Sequence, residues 1–168
     1  MATSLRRVWR HLFARSAQAL YPTASLQRIA AAIARGEQQH RGQVCFAVES
    51  SLPVTAVLAG HGARRCANHA FAHLRVWDTA VNNGVLVYLL MADHQIEIVA
   101  DRGLDGLVAP SQWEAVCQHM ERCLRAGEAE AAALTGVEMV SALLAEHFPR
   151  TGADDAHNEL PDLPHILG

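Results

Sequence analysis

Lysine is absent from this chain: all fourteen basic residues are arginine. Codon bias is the simplest source of that choice. Recognition of phosphate or carboxylate is the second, since a planar guanidinium binds both through paired hydrogen bonds. Charge as a whole is sparse, 18% of residues, with a formal balance of −3. A slightly acidic chain of this kind argues against nucleic acid as the main partner. The four cysteines, Cys45, Cys66, Cys117 and Cys123, include no CxxC pair. Their positions, one in a strand and two on apolar helix faces, favour buried thiols over disulfides, as in a reducing compartment. No apolar run approaches the roughly twenty residues that span a bilayer; the longest runs from Val85 to Ala92. Arg6, Arg7, Arg10 and Arg15 crowd the N-terminus without an apolar core or cleavage site behind them, so no signal peptide is expected. A Gly-x-Ser-x-Gly elbow, a P-loop pattern and internal repeats are also missing.

What is present is ample hydrophobic material, 51% of 168 residues, enough for one domain with a real core. Leu5 to Leu20 reads as an amphipathic helix with Leu5, Val8, Trp9, Leu12 and Phe13 on one stripe. Such a helix either docks on the domain or lies on an anionic membrane. After Tyr21-Pro22, Leu26, Ile29, Ala30 and Ile33 mark a second helix, capped by Ser25 or Thr23. Gln43 to Glu49 is a strand. Ser50 to Gly62 is a loop with a short apolar piece, and Ala63 to Val76 has a clear helical period. Val85–Met91 and Gln95–Asp101 form two strands around a short reversal. Ser111 offers a capping box with Glu114 to a helix that Gly127 closes. A last helix runs from about Glu128 to Phe148, where Pro149 stops it. The expected division is an N-terminal helix over 1–22, a central domain over 23–149, and an extended or flexible tail over 150–168 that Leu160, Leu163, Ile166 and Leu167 could dock.

This order contains a βαβ unit, so the first two strands should be parallel with a right-handed crossover, and the third antiparallel to the second. The fold class is α/β: a three-layer αβα sandwich with a small mixed sheet and flanking helices. The same topology carries Glu37, His40, Asp78, Asn82, Asn83, Asp101 and Arg102 to one rim of the sheet. Carboxylates and amide oxygens suit calcium or magnesium, and Arg102 suits an oxyanion. The plainer reading is good loop and turn chemistry, with Asn-Asn-Gly entering one strand and Asp-Arg-Gly leaving another. Cys66, His69 and His73 lie along one side of a helix, a spacing open to zinc. Cys66, however, already belongs to the apolar face, and no second Cys-His group accompanies it.

The chain resembles the TPM domain family. The likeness rests on Asn83-Gly84-Val85-Leu86-Val87-Tyr88-Leu89, the reversal at Asp93-His94, Glu97 through Leu104, and the junction from Gly127 to Gly136. It covers about residues 26–148. A short bacterial branch is indicated by Glu37-Gln38-Gln39-His40-Arg41-Gly42, Trp77-Asp78-Thr79, His147-Phe148-Pro149 and Asn158-Glu159-Leu160-Pro161. The resemblance implies an αβα sandwich. Family members are associated with acid phosphatase activity, divalent cation binding, repair of a photosynthetic complex and modulation of membrane receptors. Typical members carry acidic residues just before the Asn-Gly step, where this chain has Val81-Asn82.

Two functions follow as expectations. The first is a cytoplasmic accessory module, peripheral at the inner membrane, that engages a membrane-associated protein partner through the N-terminal helix and the rim. The second is a metal-assisted phosphomonoester hydrolase. There Asp78, Asn82, Asn83 and Asp101 would hold Ca²⁺ or Mg²⁺, Arg102 would hold phosphate oxygens, and His40 or Glu37 would transfer a proton.

Overall fold

A computed structural model describes residues 2–151 and 158–168. The elements are α1 (Ala2–Leu12), α2 (Ala17–Leu20), α3 (Thr23–Glu37), β1 (Gln43–Glu49), α4 (Val54–Leu58), α5 (Ala63–His73), β2 (Gly84–Leu90), β3 (Gln95–Ala100), α6 (Pro110–Arg125), α7 (Ala129–His147) and β4 (His165–Leu167). The sheet has the order β3-β2-β1-β4. β1 pairs parallel to β2 from Gln43 opposite Gly84 to Glu49 opposite Leu90, while β2 and β3 are antiparallel.

β1 and β2 are buried on both faces, which is why their sequences read as nearly unbroken apolar runs. Alternation sorts them into two cores. Val44, Phe46, Val48, Val85, Val87 and Leu89 face α3, α6 and α7, where Ile29, Ile33, Met120, Val137, Val140 and Leu144 close the larger core. Cys45, Ala47, Leu86, Tyr88 and Leu90 face α1, α4 and α5 with Val8, Val57, Ala67 and Ala70. The result is the expected αβα sandwich.

Several local expectations need correction. The sheet has a fourth strand: β4 pairs parallel to β1, Ala47 opposite His165 and Glu49 opposite Leu167. The described part of the tail is therefore part of the fold, with Leu160 buried and Gln43 Oε1 accepting from the Glu159 and Leu160 amides at 2.8 and 2.9 Å. Residues 152–157, within the tail expected to be flexible, lie outside the described residues. The N-terminal helix is two, because the chain turns between Leu12 and Ala17 so that the Ala17 amide can reach Ser50 Oγ. The short apolar piece after β1 is helix α4. Helix α3 starts behind Pro22, with Ser25 Oγ turned to Glu130 instead of capping. Helix α6 begins at Pro110, and Gln112 Oε1 accepts from the Ala109 amide at 2.8 Å, two residues ahead of the expected Ser111 cap. The cysteines are free thiols.

Candidate functional site

The rim forms where β1 and β2 begin and β3 ends. Gly84 opens β2 so close to the preceding segment that a Cβ there would lie 2.0 Å from the Val76 carbonyl oxygen. The Asp101 amide donates to Gly84 O at 2.9 Å, which locks the end of β3 beside the start of β2. Gly103 is held the same way: its amide donates to Asn82 O at 2.9 Å, and a Cβ would sit 2.4 Å from that oxygen. Asn82 itself takes φ +55°, a left-handed conformation that asparagine tolerates better than most residues.

The expected site residues meet at this edge in two groups. Around β2 and β3, Asn82 Oδ1 accepts from Arg102 Nε at 3.1 Å. The Asn83 side-chain amide donates to Arg41 O at 2.9 Å, and Asp101 Oδ1 accepts from the Arg102 amide at 2.7 Å. Asn83 and Asp101 are buried, and Asn83 Oδ1 and Asp101 Oδ2 have no donor among the described residues. The second group hangs from α3. Glu37 Oε1 accepts from the Val44 amide at 3.0 Å, and His40 Nδ1 donates to Gly42 O at 3.0 Å. A carbonyl can only accept, so the His40 proton sits on Nδ1 and its Nε2 lone pair is free. Asp78 belongs to neither group: it is half-exposed and paired with Arg75. Among the described residues no three His, Cys, Asp or Glu side chains gather at metal-ligand spacing. Amide and carbonyl oxygens lie outside such a set.

Burial tunes the α3 pair in opposite directions. It lifts the Glu37 carboxyl to about 7, against the Val44 hydrogen bond that favours the anion. It lowers the His40 imidazole to about 4, against the favourable Gly42 carbonyl and with Arg150 adding repulsion. Ser141, on α7 over Gly36, presents a buried hydroxyl without a partner beside His40 Nε2. Nothing in the sequence flags Ser141, which sits inside an apolar helix.

A second surface forms at the opposite end of the sheet. α1 docks with its polar side. Arg7 donates to both oxygens of Asp93 at 2.7 to 3.2 Å and to His61 O at 2.6 Å. Arg10 Nη2 reaches Asp93 Oδ1 at 3.0 Å, and His11 Nε2 lies 3.2 Å from that oxygen. His11 Nδ1 accepts from the Leu52 amide at 2.8 Å, which places the ring proton on the side facing Asp93. Of the expected apolar stripe only Val8 turns inward. Leu5, Trp9, Leu12 and Phe13 are exposed, Trp9 by 56% and Phe13 by 72%, and the two aromatic rings stack at 5.1 Å. The periodicity marks this stripe, but the choice of face was set by Asp93, an acid eighty residues away in sequence that needs cations.

Comparison with known proteins agrees with the architecture. The NMR structure of BA42 protein from the psychrophilic bacterium Bizionia argentinensis sp. nov. superposes with a TM-score of 0.74 at 22% identity, over 86% of this chain and 93% of that one. That likeness speaks to fold alone. No curated protein matches the chain. The family model for the TPM domain matches residues 15–143, and the chain belongs to the TPM domain family.

Proposed function

We propose that this TPM-domain chain is an accessory module that works by contact at a membrane surface, where α1 addresses a membrane-associated partner. The observation that carries this reading is the inverted docking of α1. An amphipathic helix on a globular domain normally buries its apolar side. Here the cationic side is tied down on Asp93, and Leu5, Trp9, Leu12 and Phe13 face outward with Arg6 and Arg15 also exposed. Aromatic and aliphatic residues flanked by arginine suit the boundary of an anionic leaflet, and the cytoplasmic leaflet supplies such lipids. The four free thiols fit that compartment. No helix among the described residues is long and apolar enough to cross a membrane, so the contact is peripheral in this reading.

Flotation with vesicles containing anionic phosphatidylglycerol tests it. The full chain should float with the vesicles and release in high salt. Trp9→Glu with Phe13→Glu should weaken partition by about a hundredfold or more, given roughly 1.5–3 kcal/mol for burying each aromatic. Equal flotation of parent and double variant would overturn the reading.

A second reading, metal-assisted hydrolysis of a phosphomonoester, is favoured by the two unpaired buried oxygens, Asn83 Oδ1 and Asp101 Oδ2. Both are hard donors of the kind calcium and magnesium take, so the residues present fit such an ion in chemistry. When bound, it would polarise a phosphoryl oxygen. Arg102 would orient phosphate, and His40, neutral with a free Nε2, would accept a proton. Purified protein should then cleave a generic phosphomonoester, with Asp101→Ala lowering turnover by about a hundredfold or more. Turnover unchanged by Asp101→Ala would assign the activity elsewhere.

A further inference from the structure

We infer that the open edge of β3 is a docking site for an extended, basic segment of a partner protein, taken up as an added strand. β3 closes the sheet order, and among the described residues no strand covers its far side. Residues of an antiparallel ladder bond alternately inward and outward. The Asp101 amide donates to Gly84 O. Counting back by twos, Val99, Glu97 and Gln95 bond to β2, while Ile96, Ile98 and Ala100 turn their main-chain groups away from it. The Ile98 carbonyl agrees with this count, since it accepts from Arg64 Nη1 at 2.5 Å. The outward amides of Ile96, Ile98 and Ala100 have no acceptor among the described residues. Such an edge is ordinarily blunted by proline, a bulge or a covering loop. β3 has no proline and keeps an unbroken register with β2. Its one guard is Arg64, a flexible side chain that is 58% exposed.

The edge lies in a groove of about 320 Å³ between two helical layers. Ile96 and Ile98 pack with Val116 and Met120 of α6 on one face, and Val99 packs with Ala63 and Ala67 of α5 on the other. Charge selects the occupant. The lining carries Glu97, Glu114 and Glu121 against one cation, Arg64. Glu97 lies 3.5 Å from Arg64, and Glu121 pairs with Arg125, outside the groove, at 2.8 Å. Glu114 has no ion-pair partner among the described residues. Burial pushes the Cys117 thiol up to about 11, and Glu97 and Glu121 add to that rise, so acids from the strand and from α6 act on one spot. A second copy of this chain is a poor occupant, because β3 against β3 would face this acidic lining with itself. The chain's own tail is already placed, on β1. Side chains of an added strand alternate between the two walls. On the α6 wall Cys117 sits between Glu114 and Glu121, with Trp113 beside them. The matching segment has basic, apolar and basic residues at successive alternate positions, and an arginine there can also stack on Trp113.

The probe is the peptide Thr-Arg-Thr-Val-Thr-Arg-Thr, blocked at both ends and titrated into the full chain while amide exchange is followed by NMR. Saturable binding is expected, with exchange at Ile96, Ile98 and Ala100 slowed by about tenfold or more. The analogue with glutamate in place of arginine should not bind. Glu114→Gln with Glu121→Gln should weaken binding by about tenfold. Arg64→Ala uncaps the Ile98 carbonyl and removes the lone cation of the lining, so it should tighten binding several-fold. Ala100→Pro deletes an outward amide and leaves the β2 ladder intact, so it should weaken binding. If that chain fails to fold, the glutamine pair on the surface of α6 still decides the matter. Equal binding of the acidic peptide, or binding that leaves the three amides unchanged, would overturn the proposal. So would a parent chain that is already dimeric with those amides protected, since the second copy would then be the occupant. The assay contains no vesicles and no groove residue belongs to α1, so failure here leaves the reading of α1 standing, and the converse holds.

Discussion

At the scale of single residues, Glu37 and His40 are a matched pair whose effects on stability oppose each other. Burial raises Glu37 from 4.5 to about 7, so between those values the native state keeps a proton that the unfolded chain has released. The stability this group contributes therefore falls as pH rises through that window. Burial lowers His40 from 6.5 to about 4, so on acidification the unfolded chain takes up the proton first. Its contribution is lost as pH falls from 6.5 to 4. Between 4.5 and 6.5 the two slopes cancel in large part. Glu37→Gln keeps an acceptor for the Val44 amide and removes one slope. The variant should gain on the parent as pH climbs from 4.5 to 7, and should lose up to about 3 kcal/mol between pH 6.5 and 4, where the parent stays nearly level. Denaturant unfolding from pH 4 to 8 measures both curves; parallel curves would contradict the coupling.

At the scale of elements, legibility followed burial. β1 and β2 were readable because strands covered on both faces are apolar without interruption, and β3 because polar Gln95 and Glu97 alternate with buried Ile96 and Ile98; the parallel pairing followed from the crossover rule and the antiparallel one from the short reversal. β4 was not readable. It has three residues, follows a stretch rich in Pro and Asp, and is a strand only because β1 offers it an edge. The rim was legible as a place, since topology alone brings Asn83 and Asp101 to one edge. The partners there were not, because they include main-chain atoms such as Arg41 O and Gly84 O that no residue pattern announces. Gln43 is another such case: it reads as a strand residue, yet its side chain holds the tail. Gln43→Leu would leave the Glu159 amide without its acceptor and the Leu160 amide with Asn158 Oδ1 alone, at 3.2 Å, at a cost of about 2 kcal/mol. Amide exchange should quicken over residues 159–167 and stay slow in α7. Protection of the tail unchanged from the parent would show that Leu160 and β4 suffice to hold it.

At the scale of the whole molecule, the sheet has two working ends. One gathers the rim, and the other carries the reversal between β2 and β3 and the docked α1. Asp93 organises the second end. Burial pushes its carboxyl upward, but the hydrogen bonds and charge of Arg7, with His11 beside them, outweigh burial and hold it below the ordinary carboxylate value. It therefore stays anionic, and stability drawn from it is lost only as pH falls through that lowered value. Asp93→Asn keeps the shape and removes the charge, leaving the half-buried Arg7 guanidinium against a neutral amide. Removing the anionic partner of such an ion pair costs up to about 3 kcal/mol, and the cost falls on the contact between α1 and the domain. Amides of residues 5–12 should exchange faster while those of β1 and β2 stay protected. The freed helix keeps Leu5, Trp9, Leu12 and Phe13, so flotation with anionic vesicles should survive. The Trp9→Glu, Phe13→Glu chain should behave in the opposite way, with slow exchange over 5–12 and no flotation. Anchoring and display are thus separable functions of one eleven-residue helix. If Asp93→Asn abolished flotation as completely as the aromatic substitutions, display would depend on docking, and the membrane-facing surface would have to include the domain beside α1.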